Sequence, residues 1–320
     1  DGMLLLDRVE REEDVAHGFF RIPEDAWFLK GHFPGNPIVP GVMLCEILAQ
    51  SVCVLLQSEM TDDLQPLYTG LNNVRFRAPV RPGDLFETLR ASKTEEEIAC
   101  MIEAQRISEK ALETVLHIIK PGMTEKQVAE YIDNEYKKAG CESVAFTTIV
   151  SFGANAADPH HEPDDTVLEK GECVLIDMGC CKNRYCSDMT RTFFCGEPKP
   201  EYAAIHDLVR QANEAAEAMI HPGVRLCDID AAARDLITKA GYGEYFNHRL
   251  GHFIGQTDHE KGDVSAANTD TVKPGMIFSI EPGVYLPGKF GVRVEDLVIV
   301  TETGCEVLNH VDKHWSVVGV

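Results

Sequence analysis

"KPGMTEKQVAEYIDNEYKKAG" (120–140) and "HPGVRLCDIDAAARDLITKAG" (221–241) share a Pro-Gly opening, a helix-spaced body and a closing KAG in the same register. Self-similarity over such a span marks a duplicated structural unit. The parallel continues downstream, where "EKGECVLIDMG" (169–179) has the layout of "VKPGMIFSIEPG" (272–283), each a β-rich apolar run closing on an acid and a glycine. Asp177 therefore corresponds to Glu281. A second acid follows each, Asp188 in "YCSDMTRTFF" and Glu295 in "GVRVEDLVIV", again inside apolar, strand-like runs. A repeat serving structure alone would have no reason to bury an acid at every one of these places.

Four carboxylates placed in strands are expensive to bury as anions unless positive charge compensates them. A metal is the economical source of that charge. Two mirrored hairpins, each offering two acids, can clamp two divalent ions from opposite sides, with His252 of "GHFIG" supplying a nitrogen ligand. The predicted set is Asp177, Asp188, His252, Glu281 and Glu295. Its oxygen-rich character favours Mn2+ first, with Co2+, Fe2+ or Zn2+ also suited, and the lack of clustered cysteine ligands argues against a structural zinc knot. A pair of ions sharing a water lowers its pKa and stabilises the oxyanion of an attacked carbonyl, which is a hydrolase design.

The rest of the composition agrees with a globular enzyme. The chain has 320 residues, long enough for two domains, and a formal charge of −22, which leaves no broad basic footprint for nucleic acid. Its 11 cysteines are an odd number without C-x-x-C spacing, and the adjacent Cys180 and Cys181 are poorly placed to bridge each other, so reduced thiols in the cytoplasm are expected. The most membrane-like run, "IVPGVMLCEILAQSVCVLL" (38–56), is interrupted by Glu46 and Gln50 and reads as a buried core helix, not a span. No charged-then-apolar signal peptide opens the chain, and a start at Asp1 reads as trimmed or processed. From about Lys93 the pattern is helical: Thr94 and Glu97 fit a capping box. Ile98, Met101, Ile102, Ala104, Ile107, Ala111, Leu112, Val115 and Leu116 then form one apolar face before the Pro121-Gly122 stop.

From about Thr88 nearly to the end the chain resembles the pita-bread metallopeptidases, nearest to Xaa-Pro aminopeptidases and Xaa-Pro dipeptidases. The resemblance is carried by "LIDMG", "SDMTRTF", "HRLGHFIG", "SIEPG" and "VRVED", which supply a matching position for all five ligands. It further implies outer roles for His160 in "DPHHEP", seventeen residues before Asp177, for His248 and His259 on either side of His252, and for Arg293. His161 is the weaker of the adjacent histidines. By this likeness, Glu281 assists deprotonation of the attacking water, and His160 and His259 orient substrate and steady the tetrahedral intermediate. His248 lies at the substrate, and Arg293 supports Glu295 or its hydrogen-bond network. Gln256 and Asp258 stand where aliphatic residues are common in the family, a departure that touches the pocket wall and hence substrate preference. The implied substrate is a peptide with proline at its second position. Aminopeptidase and dipeptidase both remain open, as do a non-catalytic pita-bread binding module and a homo-oligomer.

The chain opens on different chemistry. In "GHFPGNPIVPGVMLCEILAQ" (31–50) His32 sits on a Gly/Pro-shaped loop fourteen residues before Glu46, in a helix expected from near Pro40. A base and a helix-borne carboxyl of that kind suit dehydration α,β to a carbonyl. Together with "LLLDRV" and "NNVRFRAPVRPGD", in that order, this stretch resembles the hot-dog-fold 3-hydroxyacyl-[acyl-carrier-protein] dehydratases over residues 1 to about 87. Acyl-carrier protein is the partner that likeness implies. The later strands of that fold are replaced by helical sequence, and the likeness implies His and Glu sites assembled across a dimer whose interface needs the completed sheet, so the segment is expected to be inactive, with an open sheet edge and a partly uncovered helix 41–56. The expected organisation is α+β: a partial hot-dog segment over 1–87 and a pita-bread domain with an internal pseudo-two-fold repeat over 88–320. No Gly/Ser-rich linker marks the junction, so a natural fusion, an engineered chimera and a gene-model join all stay open.

Overall fold

The computed structural model describes residues 5–12, 15–30, 32–33, 35–53, 80–82, 85–87, 93, 95–260 and 262–319. The chain divides into two compact units, Asp1–Ala91 and Ser92–Val320.

In the first unit, β1 (Arg8–Glu12), β2 (Val15–Arg21) and β3 (Leu85–Glu87) form an antiparallel sheet in the order β1-β2-β3, and α1 (Gly41–Cys53) packs on β2. Met43, Leu44 and Ile47 turn inward from α1 onto Phe20, Ile22, Phe28 and Leu29. Val42 and Leu48 on the same helix are exposed. Most of "NNVRFRAPVRPGD" and the far end of the predicted 41–56 helix lie outside the described residues, as does Thr94 of the predicted capping box.

The second unit is built twice. Its first half runs α2 (Glu95–Ile118), α3 (Glu125–Lys138), β4 (Ser143–Val144), β5 (Ile149–Phe152), β6 (Cys173–Met178), β7 (Cys180–Lys182), β8 (Tyr185–Cys186) and β9 (Met189–Cys195). Its second half runs α4 (Pro200–Met219), α5 (Leu226–Lys239), β10 (Gly251–His252), β11 (Asp263–Val264), β12 (Ile277–Ile280), β13 (Gly283–Leu286), β14 (Phe290–Arg293), β15 (Asp296–Val300), β16 (Cys305–Val307) and β17 (Val317–Val318). The helices pack in pairs, α2 on α3 and α4 on α5.

The duplication extends to individual backbone bonds. Gly122 N donates to Leu168 O and Leu168 N to Met123 O in one half; Gly223 N donates to Val272 O and Val272 N to Val224 O in the other. Each Pro-Gly turn is thereby sewn to the segment that feeds its half's central strand. Gly122 and Gly223 adopt φ of +93° and +89°, the left-handed region where a Cβ is strained, which is why glycine closes both turns. Only the first of the two helices keeps a side-chain cap: Thr124 and Gln127 form a reciprocal capping box, whereas Arg225 occupies the equivalent place without one.

The sheets follow the same plan. β17-β9-β6-β5 forms one sheet and β12-β15-β16 another, with β6 antiparallel to β9 and β12 antiparallel to β15. β6 and β9 are buried along their whole length, so their apolar runs have no solvent face. The largest core cluster lies mostly in the second half and reaches into the first through Leu175 and Phe194; within it Phe290 stacks on Tyr202 and Phe194 at 4.4 and 6.1 Å.

One expectation needs correction. Cys181 and Cys186 face each other in register across the β7-β8 hairpin, their Cα atoms 4.2 Å apart, and form a disulfide, so the thiols are not all reduced. Strand pairing decides this, because it brings together two cysteines whose sequence spacing matches no familiar motif. Cys180, the immediate neighbour, stays free and buried.

Candidate metal centre

All four acids sit at or beside strand ends, at the centre of the two-fold. Asp177 is the penultimate residue of β6, Asp188 lies between β8 and β9, Glu281 follows β12, and Glu295 separates β14 from β15. Three of the four thus occupy breaks in the strands, where a side chain is freed from the sheet's alternation. His252 ends the short strand β10, which is pressed against β12: a Cβ on Gly251 would lie 1.8 Å from Ser279 O. Ser279 Oγ accepts from His252 N at 2.9 Å, and Leu250 O accepts from Glu281 N at 2.8 Å, so the histidine and the acid are set by the same strand contact.

The five groups converge on one cavity of about 540 Å³, which they line together with His160, His161, His248, Arg249, Asp258, His259 and Arg293. Asp188, His252 and Glu295, all buried, offer ligand atoms within 4.8 Å of one another. His252 Nε2 is 3.3 Å from Asp188 Oδ2 and 3.6 Å from Glu281 Oε1. Asp177 Oδ1 and Asp188 Oδ1 are buried without a hydrogen-bond partner, which leaves lone pairs aimed at nothing the protein provides.

The electrostatics of this crowd are unfavourable without added positive charge. Burial, followed by repulsion from the other carboxylates, pushes Asp188 and Glu295 well above the usual range. Burial likewise raises Asp177 and lifts Glu281 to about 7, against the pull of Arg293. His252 is pressed down to about 4 by burial and then by His259 beside it, which keeps the imidazole neutral and its nitrogen lone pair available. Neutral imidazole, unpartnered carboxylate oxygens and mutual repulsion together form a donor set that fits divalent cations.

The outer residues divide by task. Arg293 Nη2 pairs with Asp177 Oδ2 at 2.5 Å, its Nε donates to Thr190 Oγ1 at 2.9 Å, and Thr190 Oγ1 in turn donates to Glu295 Oε2 at 2.5 Å. The expected support of Glu295 by Arg293 is therefore indirect, relayed by a threonine, while its ion pair is with Asp177. Pairing Asp177 with Thr190 across β6 and β9 brings that threonine to the acids of the cavity.

Tyr285 is a second residue that sequence reasoning missed. Its buried hydroxyl lies 2.9 Å from both His248 Nε2 and Arg293 Nη1, and burial raises it to about 12. His248 is driven down to about 3 by burial and by Arg293, so a neutral ring faces the cavity. His259 Nδ1 is 2.7 Å from Asp258 Oδ2, the contact that raises it, and its ring lies 4.0 Å from that of His252. His160 lines the cavity from an exposed loop, whereas His161 turns back to Glu125 at 2.7 Å. Arg249 also lines the cavity, and no ion pair holds it among the described residues. Only its position next to His248 in "HRLGH" could have flagged it.

In the first unit, Glu46 Oε1 accepts from Gln50 Nε2 at 2.8 Å, and Gln50 Oε1 accepts from Leu5 N at 2.9 Å. His32 packs edge-on to Phe33 at 4.7 Å. Among the described residues of one chain, no hydrogen bond or ion pair joins His32 to Glu46, as a site shared between two copies implies. A helix glutamate one turn from a glutamine finds its partner on its own helix first.

A duplicated α+β unit with acids and one histidine gathered at its two-fold defines the pita-bread class of metal-dependent hydrolase. The chain belongs to metallopeptidase family M24, which residues 99–302 match. Residues 8–111 match the ApeI dehydratase family, consistent with a hot-dog segment at the N-terminus. An uncharacterized peptidase of Staphylococcus haemolyticus is 46% identical over 234 residues, which are 72% of this chain and 67% of that one. Among solved structures, an X-Pro aminopeptidase from Thermotoga maritima is similar with a TM-score of 0.70 at 40% identity, over 72% of this chain and 65% of that one. An Xaa-Pro dipeptidase from Bacillus anthracis gives 0.70 at 38% identity, over 72% and 64%. The chain thus spans about two thirds of the length of these relatives.

Proposed function

We propose that the chain is a dinuclear metal-dependent exopeptidase that hydrolyses the bond between an N-terminal residue and proline. The observation that carries this reading is the convergence of Asp177, Asp188, His252, Glu281 and Glu295 on one cavity, with two buried carboxylate oxygens left unpaired. These five residues would hold the ions. Two divalent cations, when bound, supply Lewis acidity for both the attacking water and the substrate carbonyl.

The protein's own groups do the rest. Glu281, partly buried and steadied by Ser279 Oγ at 3.2 Å, takes a proton from the attacking water and returns it to the departing proline nitrogen. His259, oriented by Asp258, and His160 face the carbonyl side and hold the oxyanion as it forms. The Tyr285, His248 and Arg293 network fixes one wall of the cavity. Arg249, in no ion pair among the described residues, is suited to a carboxylate of a short peptide.

The test is hydrolysis of Xaa-Pro dipeptides and Xaa-Pro-containing peptides with and without added Mn2+, beside Asp177→Ala and His32→Ala. Loss of cleavage in Asp177→Ala alone supports the reading. Full activity in the presence of a chelator, or in Asp177→Ala, would reject it. A lyase reading rests on the dehydratase match at residues 8–111. Hydration of a crotonyl thioester by the chain, abolished in His32→Ala, would establish it.

A further inference from the structure

Glu125 opens α3 and is fully buried, yet it takes no part in the cavity. Its two oxygens make four hydrogen bonds. Oε1 accepts from Phe152 N at 2.7 Å and Asn155 Nδ2 at 3.0 Å; Oε2 lies 2.7 Å from His161 Nε2 and accepts from Asp164 N at 3.1 Å. Every one of these contacts falls between residues 152 and 164, and they bracket His160 on both sides. Glu125, His161 and Asp164 sit close enough to suggest a second metal site, but donors already occupy the Glu125 oxygens. The carboxylate acts here as a peg for a loop.

The second half solves the same task with other residues. Leu226, fully buried, occupies the position equivalent to Glu125 in the duplicated sequence, and the carboxylate reappears one turn later as Asp230. Asp230 grips Arg234 with two bonds of 2.7 and 2.8 Å, and the guanidinium spans to the carbonyls of Phe246 at 3.0 Å and His248 at 2.9 Å. It also lies over the Phe246 ring at 4.1 Å. A bidentate pair of this kind fixes direction as well as distance.

We propose that Glu125, and in the second repeat the Asp230–Arg234 pair, are positioning residues that hold the loops bearing His160 and His248 at the substrate side of the cavity. The duplication thus delivers two inner ligand pairs and two outer histidine loops, each loop pegged to the second helix of its own half. The proposal rests on the peptidase reading for its kinetic test, but its geometric test does not.

The kinetic test is a double-mutant cycle of Glu125→Gln with His160→Ala in the full chain. Glu125→Gln, which keeps the shape but changes an acceptor into a donor, should lower kcat by about tenfold to a hundredfold, because small misplacement of a reacting-site group is that costly. KM and metal content should change little. In the His160→Ala background it should cost less than about threefold more, since groups acting through one another are not additive. Independent, multiplying losses would overturn the proposal.

The geometric test reads the His160 ring resonance by NMR in Zn2+-saturated protein, assigned through His160→Ala. Glu125→Gln should shift or broaden it, and Glu130→Gln, an exposed change on the same helix, should not. An unmoved resonance would refute the peg even if the protein cleaves no Xaa-Pro bond, whereas a moved resonance without peptidase activity would reject only the proposed substrate. If Glu125→Gln does not fold, His161→Ala removes one of the four bonds and carries both predictions at smaller amplitude.

Discussion

Thr190→Val separates the outer hydrogen-bond relay from the ligands themselves. Valine fills the same volume, so the core around β9 loses no packing, but two bonds disappear: the 2.5 Å donation to Glu295 and the 2.9 Å bond that satisfies Arg293 Nε. Hydrogen bonds to charged groups contribute about 1.5–3 kcal/mol each, and a buried donor left unpaired costs its desolvation as well. Arg293 also holds Asp177, so both halves of the ligand set lose an orienting contact. Partners of this kind typically change metal affinity by about tenfold to a hundredfold. The assay is a competition titration of Mn2+ or Zn2+ against a chromophoric chelator, with wild type, Thr190→Val and Thr190→Ser side by side. Valine should weaken binding by that factor while serine, which retains the hydroxyl, should stay within about threefold of wild type. Equal affinity in all three proteins would refute the relay, and a serine variant as weak as valine would assign the effect to packing.

Metal itself should stabilise the second unit, because it neutralises carboxylates that burial and mutual repulsion hold above their usual range. At a free concentration one hundred times Kd, binding contributes about 2.7 kcal/mol, or about 5–10 °C in Tm for a unit of this size; EDTA should remove the shift and Mn2+ restore it. Gly251→Ala drives a Cβ to 1.8 Å from Ser279 O and should cost about 3 kcal/mol in chemical unfolding, with metal affinity falling in parallel because His252 is displaced. Burial and repulsion from Asp296 lift Glu217 to about 7 from 4.5 against the pull of Lys313, whose Nζ lies 2.5 Å from Glu217 Oε2, so the folded state keeps a proton that the unfolded chain releases between those values. Its stabilising contribution is complete below about pH 4.5 and is lost as pH rises through 7, a change of about 3 kcal/mol. Glu217→Gln should remove that slope, and unfolding curves for the two proteins that stay parallel from pH 4 to pH 8 would contradict it.

The repeat, the five converging groups and the family were legible in the sequence because each rests on local signals. Pro-Gly turns, helix periodicity and an acid closing an apolar run are properties of a few neighbouring residues, and duplication states them twice. His32 and Glu46 read well in sequence for the same reason; within one chain Gln50 lies beside the glutamate and Phe33 beside the histidine. Thr190 was invisible as a relay, since its role comes from lying opposite Asp177 across two strands and reaching Glu295, a hundred residues onward. Tyr285, Arg249, the Glu125 peg and the Cys181–Cys186 bridge were hidden likewise, being contacts fixed by sheet register and by loops folding back onto helices.

Residue type and spacing by themselves determined which side chains this protein would bring together in one cavity, because burying four acids and an imidazole in apolar runs has few physical resolutions. Tertiary structure alone decided which groups hold those five side chains in place. A hydrogen bond reaches about 3 Å, and nothing in the order of residues along a chain states which distant atoms will come within that distance.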